Sequence, residues 1–223
     1  MKLILFDIDG ILLKPNQFEY WKEVGEKYFR IDITKNKIKK PGKTDKRILL
    51  EMLETNGIKD PLNDERFIPT LESIGPIVSN IIKNIKLKQV PNIENLIKKL
   101  KKEKIIIGLW TGNTYEKAKA KLKNANLWNY FKIGGFGDKS LERIDLVNMA
   151  IKDAKEKTNM NFSKEDVIII IDTTPELKFL KENGIKCIGI ATGKSSYKNL
   201  EKENPNYLFK DFSNIDSIIN ELK

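Results

Sequence analysis

Residues 3–12 read Leu3-Ile4-Leu5-Phe6-Asp7-Ile8-Asp9-Gly10-Ile11-Leu12. The first four are apolar without alternation, and then an aspartate interrupts. An unbroken apolar run of this length suits a strand covered on both faces, as in parallel sheets. Asp7 and Asp9 close the strand and Gly10 opens a turn. The same two acids cut the run too short for the apolar centre of a secretory leader.

The same grammar recurs along the chain. Residues 104–110, 167–171, 186–190 and 207–209 read as strands, and residues 131–133 as a further short one. The run at 167–171 again ends in acid, at Asp172. Helical spacing fills the gaps. Asn92 can cap a helix carrying Ile93, Leu96, Ile97 and Leu100 on one face. A second helix starts at Asn113 or Thr114 and runs to about 124. Residues 141–157 place Val147, Ala150, Ile151 and Ala154 in register. Residues 175–183 form a helix stopped by Gly184. Ser213-Asn214-Ile215-Asp216 resembles a capping box opening the last helix. Such alternation predicts an α/β fold: a Rossmann-like open parallel sheet with helices on both faces.

One segment breaks the pattern. Residues 14–90 are amphipathic and helical, punctuated by Pro15, Pro41-Gly42, Gly57, Pro61, Pro69 and Gly75-Pro76, with Ile48, Leu49, Met52 and Leu53 at helical spacing. The expected organisation is therefore a core from residues 1–14 and 91–223, with an all-helical cap domain from residues 15–90 inserted after the first strand.

Composition narrows the chemistry. The 223 residues carry 41 Lys+Arg and 31 Asp+Glu, a net charge of +10, with no histidine and one cysteine. Without histidine there is no Ser-His-Asp triad, no Cys-His pair and no zincin helix. A single cysteine, Cys187, excludes an internal disulfide and a CxxC pair, and its apolar setting reads as core. Carboxylates, hydroxyls, lysines, arginines and backbone must do the work, which points to oxygen-ligated hard cations such as Mg2+. The lysine clusters at 35–46 and 98–104 read as solvated faces. No aromatics interleave with them, which argues against a nucleic-acid partner. A basic field also favours anionic small substrates. The longest apolar runs have strand length, so no membrane span is expected, and a reducing cytoplasmic setting is the default expectation.

Ligands of an open parallel sheet sit beyond the carboxyl ends of its strands. Those ends carry Asp7-Ile8-Asp9-Gly10, Thr111-Gly112-Asn113-Thr114 and Asp172-Thr173-Thr174-Pro175-Glu176. Gathering Asp7, Asp9 and Asp172 costs repulsion unless a cation lies among them. A calcium loop does not explain the first stretch, because Ile11 and Leu13 occupy ligand positions and no closing glutamate follows.

Taken together, these stretches resemble the motifs of the haloacid dehalogenase-like superfamily of phosphohydrolases. Residues 3–12 match its first motif, Leu109-Trp110-Thr111-Gly112-Asn113 its second, and Ile169-Ile170-Ile171-Asp172-Thr173-Thr174-Pro175-Glu176 its fourth. The likeness spans the chain. The helical insertion resembles the C1 cap of the phosphoglycolate-phosphatase-like branch, where Gly42-Lys43-Thr44-Asp45 is similar to a Gly-Arg-Thr-Asp stretch. The resemblance implies a nucleophile at Asp7 and a general acid and base at Asp9. It implies Mg2+ held by Asp7, Asp9 through its carbonyl, and Asp172. It implies phosphoryl binding by Thr111, Gly112 and Asn113, and a small phosphorylated metabolite as substrate, with cap residues Lys43 and Arg47 near its far end. A basic phosphate ligand is also implied. Arg143 matches best and Lys139 is the other candidate, since no Lys-Pro follows the second motif.

Two departures stand out. Ile171 occupies the place where the family usually has glycine before the fourth-motif aspartate, so it is expected to narrow the site or shift Asp172. Glu176 stands where aspartate is common. Gly193-Lys194-Ser195 resembles the tail of a P-loop but lacks the earlier glycine at the required spacing. Trp21, Trp110 and Trp128 read as packing residues, with Trp21 placed to touch substrate. A phosphatase is the leading expectation. A phosphomutase using the same two aspartates, or a weakly catalytic binding protein with a basic surface, are the alternatives. A dehalogenase does not suit the presence of Asp9.

Overall fold

The computed structural model describes residues 2–15 and 18–222. Strand β1 (Leu3–Phe6) is buried at every position, as its unbroken apolar sequence requires. Three helices follow in the insertion: α1 (Trp21–Phe29), α2 (Asp45–Thr55) and α3 (Phe67–Ile82). Thr44 caps α2, its side chain accepting from the Arg47 N–H. The alternating part then runs α4 (Ile93–Lys102), β2 (Ile106–Thr111), α5 (Tyr115–Asn124), β3 (Gly134–Phe136), α6 (Arg143–Thr158), β4 (Val167–Ile171) and α7 (Thr174–Glu182). It ends with β5 (Lys186–Ile190), α8 (Tyr197–Lys202), β6 (Tyr207–Phe209) and α9 (Ile215–Leu222).

All strand pairings are parallel, in the order β3-β2-β1-β4-β5-β6. The order reverses between β1 and β4, so the crevice between their carboxyl ends is where a ligand belongs. Strand side chains alternate between two apolar layers. Ile4, Phe6, Ile107, Leu109, Ile168 and Ile170 face one layer with residues of α4, α5 and α9. Leu3, Leu5, Trp110, Ile169, Ile171 and Cys187 face the other with residues of α6 and α7. Apolar residues of α1, α2 and α3 join the first layer without a break. No helix among the described residues is long and apolar enough to cross a membrane.

Several local expectations are corrected. The short strand lies at Gly134–Phe136 rather than at 131–133. Phe131 and Ile133 are instead buried in the core, where the Leu109 N–H donates to the Ile133 carbonyl. Asn214, not Ser213, caps α9, accepting from the Ser217 N–H at 3.1 Å. Asn92 stands at the start of α4 in a left-handed conformation (φ 64) and its side chain makes no capping bond. Of the two candidate caps for α5, Thr114 fills the role. Helix α8 is too short to show a helical apolar face. Its start is nevertheless signalled by Ser196, whose side chain accepts from the Asn199 N–H.

Candidate active site

Asp7 directly follows β1 and Asp172 directly follows β4, so the two flank the point where strand order reverses. Glu176 reaches the same place from the first turn of α7. All three are buried, and one carboxylate oxygen from each lies within 4.8 Å of the others. Asp172 is seated by two glycines. A Cβ at Gly10, itself at φ 92, would lie 2.3 Å from Asp172 Oδ2, and one at Gly193 would lie 1.7 Å from it. Only residues without side chains allow so close an approach. The Lys194 N–H donates to Asp172 Oδ2 at 2.9 Å, whereas Asp172 Oδ1 is buried with no hydrogen-bond partner among the described residues. The loop with the P-loop-like letters therefore serves as a wall for Asp172. The donor set of clustered carboxylates with one orphaned oxygen fits a hard divalent cation.

The electrostatics carry the same message. Burial, reinforced by Glu176, raises the Asp172 carboxyl to about 7. Asp7 is also pushed well above the usual carboxylate range, by burial first and then by Glu176, against the opposing pull of Arg143. Arg143, the first residue of α6, is buried with its guanidinium stacked over Trp110 at 3.8 Å from the ring centroid. Its Nη1 donates to Glu176 at 2.5 Å, and its Nη2 lies 3.7 Å from Asp7. Nε and Nη2 have no hydrogen-bond acceptor among the described residues. Buried donors left unmatched beside a carboxylate are poised for an anion.

Asp9 points elsewhere. Its carboxylate is clamped at both oxygens by Lys121 of α5 and accepts from the Asn113 amide at 3.2 Å. Burial would raise its carboxyl, but Lys121 outweighs that and holds it below the usual value. One helical turn earlier, Lys117 bonds Asp45 of α2 at 3.0 Å and donates to the Tyr20 hydroxyl at 2.6 Å. Asp45 also accepts from the Thr114 N–H at 2.9 Å, and its own N–H donates to the Gly112 carbonyl at 2.7 Å. The start of α2 is thus stapled to the loop after β2.

Asp7, Asp9, Gly112, Asn113, Arg143 and Asp172 line a cleft of about 200 Å³. Lys43 lines it too, with its ammonium engaged by Glu51. Thr111 is fully buried behind it, its hydroxyl accepting from the Asn113 side chain at 2.7 Å. Arg47 turns instead to Glu142. Lys139 is exposed, pairs with Asp138 at 3.1 Å and lines a different depression. Ile171 does not narrow the cleft. It sits on the opposite side of β4, wholly buried in the apolar layer under α6 and α7.

Sequence reasoning missed Lys117, Lys121 and Tyr20 as parts of this site, and it quoted Asp45 within the stretch at 42–45 without a role. A signal existed for the two lysines. They stand four residues apart just after the second strand-end motif, hence on one face of α5.

A family model described as haloacid dehalogenase-like hydrolase matches residues 4–190. Solved structures agree in fold. A hydrolase from Pseudomonas syringae is 18% identical over 99% of this chain and 98% of its own, with a TM-score of 0.68. A β-phosphoglucomutase from Clostridium difficile is 19% identical over 99% and 96%, at 0.67. A structure titled putative β-phosphoglucomutase, from Thermotoga maritima, is 21% identical over 100% of both chains, at 0.59. No curated protein matches the chain. With the match extending over most of its length, the chain belongs to the haloacid dehalogenase-like hydrolase family.

Proposed function

We propose that the protein is a Mg2+-dependent phosphatase acting on a small phosphorylated metabolite through an aspartyl-phosphate on Asp7. One observation carries the reading. Asp7 groups with Asp172, which carries an orphaned carboxylate oxygen, and lies 3.7 Å from Arg143, two of whose guanidinium nitrogens have no hydrogen-bond acceptor among the described residues. A cation is wanted on one side of the nucleophile and an anion on the other. Asp7, Asp172 and the Asp9 carbonyl would hold Mg2+, which when bound neutralises charge between the carboxylate and the phosphoryl oxygens.

The chain's own groups do the rest. Arg143 grips the phosphoryl group through Nη2 and Nε, with Thr111, Gly112 and Asn113 on the other side. An Asp7 oxygen attacks phosphorus and the leaving oxygen departs toward Asp9. Lys121 keeps Asp9 ionised in the free protein, the form that later takes a proton from water attacking the phosphoenzyme. Arrival of a phosphoryl dianion offsets Lys121 and raises the proton affinity of Asp9, which takes up a proton from solvent and then gives it to the leaving oxygen.

The test is hydrolysis of 4-nitrophenyl phosphate with and without Mg2+, for the parent and for Asp7→Asn. Release of inorganic phosphate by the parent that needs Mg2+, and falls by at least about three orders of magnitude in the variant, is expected. Equal rates in the two proteins, or phosphate passed only to an added sugar hydroxyl, would overturn it.

A further inference from the structure

Cations around the cleft fall into two groups. Arg143 is matched with Glu176, Lys43 with Glu51, Lys117 with Asp45 and Lys121 with Asp9. Lys40 and Lys194 also line the cleft, and neither ammonium has an ion pair or hydrogen-bond partner among the described residues. Lys40 comes from the segment before α2 and is half-buried, 5.7 Å from the Trp21 ring centroid. Lys194 follows Gly193 in the wall of Asp172 and is exposed. The carboxylate at the outer rim is Glu19, which is exposed and forms no ion pair with Lys40.

The shape of the space adds direction. A second cavity of about 240 Å³ shares Asp9, Tyr20, Trp21, Lys40, Lys117 and Lys194 with the first and leads away from Asp7 toward Phe18. A phosphoryl group between Asp7 and Arg143 directs its ester oxygen to Asp9. The rest of the molecule must then extend into this second space, between the two surplus ammonium groups. Glu19 and Asp45 offset part of the Lys40 charge from a distance, but a neutral tail would still leave two ammonium groups facing one small cavity with no carboxylate among the described residues in contact with either. An anionic tail balances both.

We propose that the substrate is a small phosphate monoester bearing a second anionic group, carboxylate or phosphate, held between Lys40 and Lys194. The proposal rests on the phosphatase reading for its placement of the first phosphoryl group. Because Lys40 belongs to the insertion and Lys194 to the core, one anion between them also ties the two walls of the cleft together.

The test uses three-carbon phosphate monoesters ending in a hydroxyl, a carboxylate or a second phosphate, together with the corresponding phosphonates. Turnover of the esters is measured on the parent enzyme with Mg2+. Binding of the phosphonates is measured by calorimetry on Asp7→Asn, which removes chemistry from the readout. A preference of about tenfold or more for one anionic terminus over the hydroxyl is expected, and which terminus wins identifies the group. Lys40→Met and Lys194→Met should each shrink that preference severalfold. Lys152→Met, at an exposed lysine on α6 that lines neither cavity, should retain it. Equal binding of all three phosphonates overturns the proposal. So does a preference that survives the Lys40/Lys194 double variant, or one lost in Lys152→Met. A binding preference without any turnover would overturn the phosphatase reading and leave the anion site standing.

Discussion

Asp172 is held in a place that costs the free protein stability, and removing its charge should make the metal-free protein more stable. The residue is 1% exposed and its carboxyl titrates at about 7 against an ordinary 3.8. At pH 8.5 it is ionised in both the folded and unfolded states, so the whole gap weighs on the fold, up to about 4 kcal/mol. Asp172→Asn removes that charge and keeps an acceptor for the Lys194 N–H. At about 2–4 °C per kcal/mol for a chain of this size, the melting temperature should rise by roughly 10 °C. The pH dependence follows from the direction of the shift. Between 3.8 and about 7 the folded protein binds more protons than the unfolded chain. The parent should therefore gain stability as pH falls from 8.5 toward 4, and the variant should gain less. Asp7, raised for the same reason, adds in the same direction. Saturating Mg2+ replaces the proton as counter-charge and should stabilise the parent, by about 2.7 kcal/mol at one hundred times its dissociation constant, and the variant far less. Thermal unfolding followed by circular dichroism, in EDTA and in Mg2+, reads all of these. A variant that melts below the parent in EDTA at pH 8.5, or equal gains from Mg2+ in both, would refute the argument.

Two further outcomes are expected. Lys117→Met leaves Asp45 buried without its ammonium and should cost about 3–5 kcal/mol in urea unfolding, as broken buried pairs do; a loss under 1 kcal/mol would show that the Thr114 N–H and the backbone bond to Gly112 hold the α2 staple without Lys117. Arg143→Lys keeps the charge but not the flat fork that stacks on Trp110 and reaches both Glu176 and Asp7. Losing one charge-assisted bond should lower kcat/KM by about tenfold to a hundredfold, and wild-type kinetics would remove Arg143 from phosphoryl binding.

Much of the site could be read in one dimension because each motif lies within a few residues of a strand end. Asp7, Gly112, Asn113 and Asp172 follow their strands directly, and parallel strands bring their carboxyl ends to one edge. The expected narrowing of the cleft by Ile171 fails for a reason of register. Neighbours on a strand point to opposite faces, so Ile171 packs under α6 and α7 while Asp172 lies at the cleft. Arg143 and Lys139 are near neighbours in sequence and could not be ranked by spacing alone. The start of α6 buries Arg143 against Trp110 and leaves Lys139 in solvent.

By itself the sequence determined the α/β architecture, the helical insertion and the carboxylates at the strand ends. These are properties of local periodicity and of residue types next to one another. Only the tertiary structure decided which charges meet. It brought Lys121 to Asp9, Lys117 to Asp45, and Arg143 to Glu176 and Asp7. It also left Asp172 Oδ1 and two arginine nitrogens without hydrogen-bond partners among the described residues. Those pairings join residues far apart in the chain, and their strength depends on burial and on distances of a few ångströms, which no spacing in the sequence encodes.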